Sequence, residues 1–244
     1  MSKKNRPADR AERVAAAMRE QQQSERRRRN LMVGGVVAAL VVIIVGGFLL
    51  SRALDTSDDV NAPGAGQGEH GVTLGPADAP HDVVIYEDFL CPYCGELESA
   101  SRADLTRLAA DGKVRVEYRP FDLLSRISDY SERSAAVFGV VLDTSGPDVA
   151  KKLHDLLYEN QPSESGPFPT DDDLVALAVE AGADEAEVRR GLEDGTGTDW
   201  VSAATKAALA TGLKGTPTVL LDGEVFTEGR TMDDLASNLV DKLE

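Results

Sequence analysis

The sequence predicts an α/β domain. A βαβ unit and a ββα unit join into one mixed sheet with helices on both faces, a helical block is inserted between them, and a single membrane-spanning helix precedes the whole. Three observations carry this. Leu31 to Leu50 is a run of uncharged residues directly behind Arg26-Arg27-Arg28-Arg29. β-Branched runs occur near both ends of the remaining chain, around Val83-Val84-Ile85 and Thr218-Val219-Leu220. Between them, from Ser128 to about Gly212, the pattern is almost entirely helical.

Residues 1–30 form a basic leader, with ten Lys/Arg against four Asp/Glu up to Arg29. At about 1.5 Å per residue the apolar run spans roughly 30 Å, the thickness of a bilayer's hydrocarbon core. The arginine block keeps the leader cytoplasmic and directs everything after Leu50 outside the cell membrane. A core helix of a soluble protein would show a polar face, and this run has none. Ser51-Arg52-Ala53 offers small residues at a signal-peptidase site. Against cleavage, the apolar stretch exceeds the roughly 7–15 residues of a signal core. The expectation is a retained single-pass anchor.

Residues 51–71, with Asn61-Ala-Pro-Gly-Ala-Gly-Gln-Gly68, are expected to be a flexible linker. The globular part begins at Val72 and runs to Glu244. Asp82–Phe89 is a buried strand, and the segment from Cys91 to about Ala110 is a helix ended by Asp111-Gly112. Lys113–Arg119 alternates apolar and charged residues, as a second strand does. The helical block breaks at Thr144–Pro147, Gln161–Pro169, Gly182–Asp184 and Gly195–Gly197. Thr218–Asp222 and Glu224–Thr227 flank Asp222-Gly223, a hairpin signal. A closing helix runs from Met232 to about Leu243, capped by Thr231.

Composition narrows the function. Of 244 residues 42% are apolar, enough for a core, and the net charge is −16. Beyond the leader the acids predominate, so the folded part repels phosphate backbones and nucleic acid is excluded as a partner. Cys91 and Cys94 are the two cysteines of the chain. A four-Cys zinc site is therefore excluded, and His70, His81 and His154 show no metal-ligand spacing, so no metal is expected.

Cys91-Pro92-Tyr93-Cys94 stands at a helix start, where Pro92 suits the first turn. Backbone N–H groups and the positive helix end favour a thiolate at Cys91, the form that attacks disulfides. Cys94, one turn on, lies beneath it and can close or open a disulfide with it. A structural disulfide across so short a loop would constrain the unfolded chain little. Redox exchange through these two sulfurs is the reading that remains, and it needs no cofactor. Gly215-Thr216-Pro217-Thr218 stands just before a strand, where proline is normally a breaker. A cis bond at Thr216–Pro217 would turn the backbone of Thr216 toward an extended substrate chain beside the sulfur.

With Asp88-Phe89-Leu90-Cys91-Pro92-Tyr93-Cys94, the Gly215–Thr218 loop and the helical insertion at about 128–212, residues 72–244 resemble the thioredoxin superfamily. Within it they resemble the DsbA-like thiol–disulfide oxidoreductases, especially the membrane-anchored kind of Gram-positive bacteria. The resemblance implies a thioredoxin-like fold, Cys91 as nucleophile, Cys94 as resolving thiol, and Thr216–cis-Pro217 as the substrate-facing loop. It implies reduced exported proteins as clients and a separate membrane partner that re-oxidises the site. A reductase or isomerase of the same fold, or a binding module without turnover, are the rival readings.

The sequence departs from its relatives at Ile85, where many carry a buried acid six residues before the first cysteine. Strand alternation puts Glu87 on the Ile85 face, which makes it either the replacement proton acceptor or a solvated strand end. Glu87, Asp88, Glu96 and Glu98 are expected to surround the site with negative charge and raise the Cys91 pKa. That would give a milder oxidant, between the roughly −120 mV and −230 mV of DsbA and glutaredoxins. Phe89, Leu90, Tyr93 and Trp200 are candidates for an apolar substrate rim, Trp200 alternatively for packing among the inserted helices. His154, within Lys-Lys-Leu-His-Asp, is expected on a helix surface.

Overall fold

The computed structural model describes residues 60–244. The leader, the expected membrane span and residues 51–59 of the expected linker lie outside the described residues. No helix among the described residues is long and apolar enough to cross a membrane.

The elements follow the chain in order. A short β1 (Val72–Leu74) leads to β2 (His81–Glu87), helix α1 (Pro92–Ala110) and β3 (Val114–Pro120). The insertion is five helices: α2 (Tyr130–Ser145), α3 (Pro147–Glu159), α4 (Asp171–Ala181), α5 (Glu185–Glu193) and α6 (Thr196–Ala210). The chain returns through β4 (Thr218–Leu221), β5 (Glu224–Val225) and α7 (Met232–Leu243).

Five strands make one mixed sheet in the order β1-β3-β2-β4-β5. The central pair, β2 and β3, is parallel, with Ile85 opposite Tyr118. β4 runs antiparallel to β2, with Ile85 opposite Val219. A parallel pair needs a crossover, and α1 supplies it. At the hairpin, Asp222 and Gly223 both take positive φ (53° and 87°), as the Asp-Gly pair requires for a tight turn that follows strand twist.

Each sheet face covers its own apolar set. Val83 and Ile85 face Leu97, Leu105 and Leu108 of α1, Leu239 of α7, and the insertion. Each such leucine, fully buried, contributes about 1.5–3 kcal/mol. Val84, Tyr86 and Leu220 face Ala208, Leu213, Phe121 and Ala65. Helix ends are set locally. Thr170 and Asp173 form a reciprocal capping box at α4, and Thr231 Oγ1 accepts from the Asp234 amide at α7.

The expected flexible linker requires correction over residues 60–71. Ala65 is fully buried, and Val60 and Ala62 pack beside it. The Asn61 amide donates to the Thr211 carbonyl at 2.9 Å. Arg119, itself buried, donates to the carbonyls of Pro63 and Gly64, both at 2.9 Å, and to Glu117 at 2.7 Å. A buried guanidinium needs acceptors on every side, and this proline- and glycine-rich segment supplies two of them as backbone.

Candidate active site

The site forms where β2 ends and α1 begins. After Glu87 the chain turns sharply, and Asp88 holds the turn. Its buried carboxylate accepts from the amides of Leu90, Leu123 and Leu124 at 2.8–2.9 Å, and from Ser131 Oγ at 2.5 Å. Burial nevertheless leaves its pKa raised, the hydrogen bonds only partly offsetting it. Phe89 then packs on Phe138, His154 and Tyr158, all from the insertion.

Cys91 caps α1 in extended conformation (φ −70°, ψ 116°), with Pro92 in the first turn. Its carbonyl accepts from the amides of Cys94 and Gly95 and from Gln161 Nε2 at 2.9 Å. Gln161 Nε2 also reaches the Phe89 carbonyl, so a side chain from the loop after α3 clamps the cysteine loop on both sides. Sequence reasoning missed Gln161, which sits in a loop with no periodicity to mark it.

The two sulfurs are free and unequal. Cys91 keeps 5% of its surface exposed and Cys94 1%. A hydrogen bond from Cys94 does most to bring the Cys91 thiol down, against the opposing effect of burial. Thr216 and the amides of Cys94 and Tyr93 add to it, and the pKa falls from 9.0 to about 6. Cys94 is pushed well above the ordinary thiol range, first by burial, then by its bond to Cys91 and the charges of Cys91 and Glu87.

The expected acidic depression of Cys91 reactivity is therefore corrected. Asp88 is turned into backbone amides, and Glu98 is buried beneath the site beside Arg102 and His154. The charge of Glu87 raises the Cys94 pKa, while the leading effect on Cys91 is a hydrogen bond that lowers it.

Thr216 and Pro217 lie directly across from Cys91. Their peptide bond is cis, and the Cys91 thiol donates to the Thr216 carbonyl at 3.4 Å, some 125 positions away in sequence. Of the expected rim, Tyr93 alone is open, at 60% exposure. Phe89, Leu90 and Trp200 are buried, and Trp200 stacks edge-on to Phe138 and His70. A groove of about 480 Å³ runs beside the site, lined by Pro92, Gly95, Glu96, Gln161 and Met232 among others.

Glu87 is buried, not a solvated strand end. Its carboxylate accepts a hydrogen bond from His154 Nε2. His154 is itself fully buried, contrary to the expected surface position. The stripe Ala150, Leu153, His154, Leu157 repeats at three and four residues, so His154 belongs to the apolar face of α3, which the neighbouring lysines obscure. Glu87, Glu98 and His154 bring their ligand atoms within 4.8 Å of one another, the group among the described residues that could share an ion. Arg102 and Lys151 already bring positive charge to it, so the group forms an internally compensated charge network.

Known proteins resemble this arrangement. The thioredoxin family matches residues 67–242. The crystal structure of oxidised DsbA from Mycobacterium tuberculosis superposes with a TM-score of 0.60 and 27% identity, over 71% of this chain and 90% of that one. A probable disulfide bond formation protein D of Bacillus cereus is 26% identical over 156 residues, 63% of this chain and 70% of the relative. Na(+)/H(+) antiporter NhaA 3 of Salinispora tropica is 31% identical over 149 residues, 61% of this chain. The chain spans 21% of that antiporter's length. The chain belongs to the thioredoxin family, and its strong structural matches are DsbA-type thiol–disulfide oxidoreductases.

Proposed function

We propose that the chain is a membrane-anchored, extracytoplasmic enzyme that introduces disulfides into exported proteins. Cys91 is the nucleophile, Cys94 the resolving thiol, and Thr216–Pro217 the loop against which an extended substrate lies. The observation that carries this reading is the inequality of the two sulfurs. A Cys91 held near pKa 6 leaves readily as thiolate, so the reduced site is stabilised and the oxidised site gives its disulfide away.

The reaction runs in two exchanges. A substrate thiolate attacks the Cys91 sulfur of the closed disulfide, and Cys94 departs and takes up a proton. A second substrate thiol then attacks its own sulfur in the mixed disulfide, forming the substrate disulfide and releasing Cys91 as thiolate. Recharging reverses the roles. Cys91 attacks an oxidant's disulfide, and Cys94 loses its proton and closes the ring. That oxidant is a separate membrane partner or a small disulfide. Topology supports the oxidative direction, since chains cross into a compartment where thiols are not held reduced.

The test is the redox equilibrium of the full chain with glutathione, read by alkylation of free thiols. A potential above about −200 mV supports the oxidase. One near −270 mV would make the protein a reductant that draws electrons through the membrane. A binding module without turnover is separated by Cys91→Ser, which would preserve client binding and abolish exchange. Labelling of Cys91 in intact cells by a membrane-impermeant thiol reagent tests the outward orientation.

A further inference from the structure

The buried charge network beneath Cys94 is larger than a lone proton acceptor needs. It joins three elements: Glu87 on β2, Glu98 and Arg102 on α1, and Lys151, His154 and Asp155 on α3. Tyr118 from β3 and Tyr158 from α3 flank the imidazole at 4.6 and 5.1 Å between ring centres. These are the titratable and charged groups that face His154 from the elements packed on it.

The geometry is directional. His154 Nε2 is bonded to Glu87, whose charge acts on Cys94. Nδ1, on the opposite side of the ring, lies 3.2 Å from Asp155 Oδ1 and 3.9 Å from Glu98. The Asp155 side chain is 29% exposed, and Lys151 and Arg102 hold it at 2.5 and 3.3 Å. Hydrogen-bonded groups thus run from Glu87, whose charge acts on the buried Cys94, through His154 to the partly exposed carboxylate of Asp155.

Resting on the reading of Cys94 as resolving thiol, we propose that His154 is a positioning residue that couples Cys94 to solvent protons through Glu87. When Cys94 closes the disulfide, its thiol proton passes to Glu87. The carboxylate charge that held the imidazolium is lost, and His154 releases its Nδ1 proton through Asp155 to water. The balance is complete. Cys94 thiol, Glu87 carboxylate, imidazolium and the mixed disulfide at Cys91 become the Cys91–Cys94 disulfide, Glu87 carboxylic acid, neutral imidazole, the departing thiolate and one proton in water. Opening the disulfide runs the same steps backward. Neither direction leaves an uncompensated charge under the sheet, which at this depth would be costly.

The electrostatics agree with this role. Burial acts to lower the His154 pKa, but the charges of Glu87 and Glu98 and the bonds to Asp155 and Glu87 raise it to about 9. Removing the Glu87 charge removes the leading reason for the imidazole to stay protonated.

The test uses the reduced full chain and a chromogenic aromatic disulfide. Attack by Cys91 releases one coloured thiolate, and ring closure by Cys94 releases a second. His154→Gln is expected to leave the first phase unchanged and slow the second on the order of 10²-fold, the low end for a lost proton-transfer group. Its pH profile should also change, and Glu87→Gln combined with it should slow the second phase no further than either alone. Asp155→Asn keeps the side chain's shape at the partly exposed end of the network and should slow the second phase alone. An unchanged second phase in either variant overturns the proposal. So does equal slowing of both phases, the mark of a merely structural role. The imidazole resonances of His154 provide a second readout, protonated in the reduced protein and neutral in the oxidised one at about pH 7. The same protonation state in both forms overturns it. Failure of Cys91 to react in the wild-type chain would instead refute the oxidoreductase reading itself.

Discussion

Replacing Cys94 by alanine should make Cys91 a weaker acid, by an amount the site geometry bounds. The fall of Cys91 from 9.0 to about 6 is three units, about 4 kcal/mol of preference for the thiolate at 1.36 kcal/mol per unit. The groups that do most to lower it are the Cys94 side chain, Thr216, and the amides of Cys94 and Tyr93. The Cys94 side chain contributes most, and burial works against it. A hydrogen bond of this kind is worth roughly 1 kcal/mol net, or about 0.7 of a pKa unit. Cys94→Ala should therefore carry the Cys91 midpoint from about 6 to about 7, whereas Cys94→Ser, which keeps an O–H donor, should stay close to 6. The assay is the rate of alkylation by a small neutral reagent from acid to alkaline pH. The midpoint is the quantity to read, because a thiolate of higher pKa is also the better nucleophile and partly masks the change at any single pH. A Cys94→Ala midpoint indistinguishable from wild type would refute the reasoning and assign the low pKa to the helix entrance alone.

The remaining predictions concern stability. In a Cys91→Ser chain, His154 is bound to its proton more tightly folded than unfolded. Its contribution is fully present below about 6.5, is lost as pH rises to about 9, and should vanish in the added His154→Gln variant, as denaturant titrations at several pH values will show. The reduced wild type should show a flatter profile, because the depressed Cys91 contributes with the opposite sign, its stabilisation growing as pH rises from about 6 toward 9. Gly139→Ala places a Cβ 2.3 Å from the Trp200 ring and should cost about 1–3 kcal/mol in thermal or denaturant unfolding. A chain beginning at residue 72 should be less stable than one beginning at residue 60 by at least about 3 kcal/mol, since it loses two hydrogen bonds to the buried Arg119 charge.

The elements that sequence reasoning placed well are those whose signal is local. The Asp222-Gly223 turn, the cysteine helix with Pro92 at its start, and the breaks between inserted helices depend on backbone preferences within a few residues. What it missed depends on partners far along the chain. Residues 60–71 look like a tether until Arg119 is known to need their carbonyls. The acids around Cys91 look repulsive until Asp88 is seen bonded to three amides and Glu98 set beside Arg102. His154 looks solvated among charges, although its spacing from Ala150, Leu153 and Leu157 carries the contrary signal. Gln161 had no signal at all.

The position of β4 has a consequence for how the protein comes to life. It is an interior strand, yet it pairs with β2 only after the whole insertion has been synthesised between them. The parallel β2–β3 pair and its crossover helix are contiguous and can form early, whereas Ile85 must wait for Val219 across a long loop. The Thr216 carbonyl that faces Cys91 arrives with that late strand. A growing chain therefore carries Cys91 long before the Thr216 carbonyl comes to face it. Over that interval the cysteine lacks the hydrogen-bond partner that helps lower its pKa, and completion of the sheet is what supplies it.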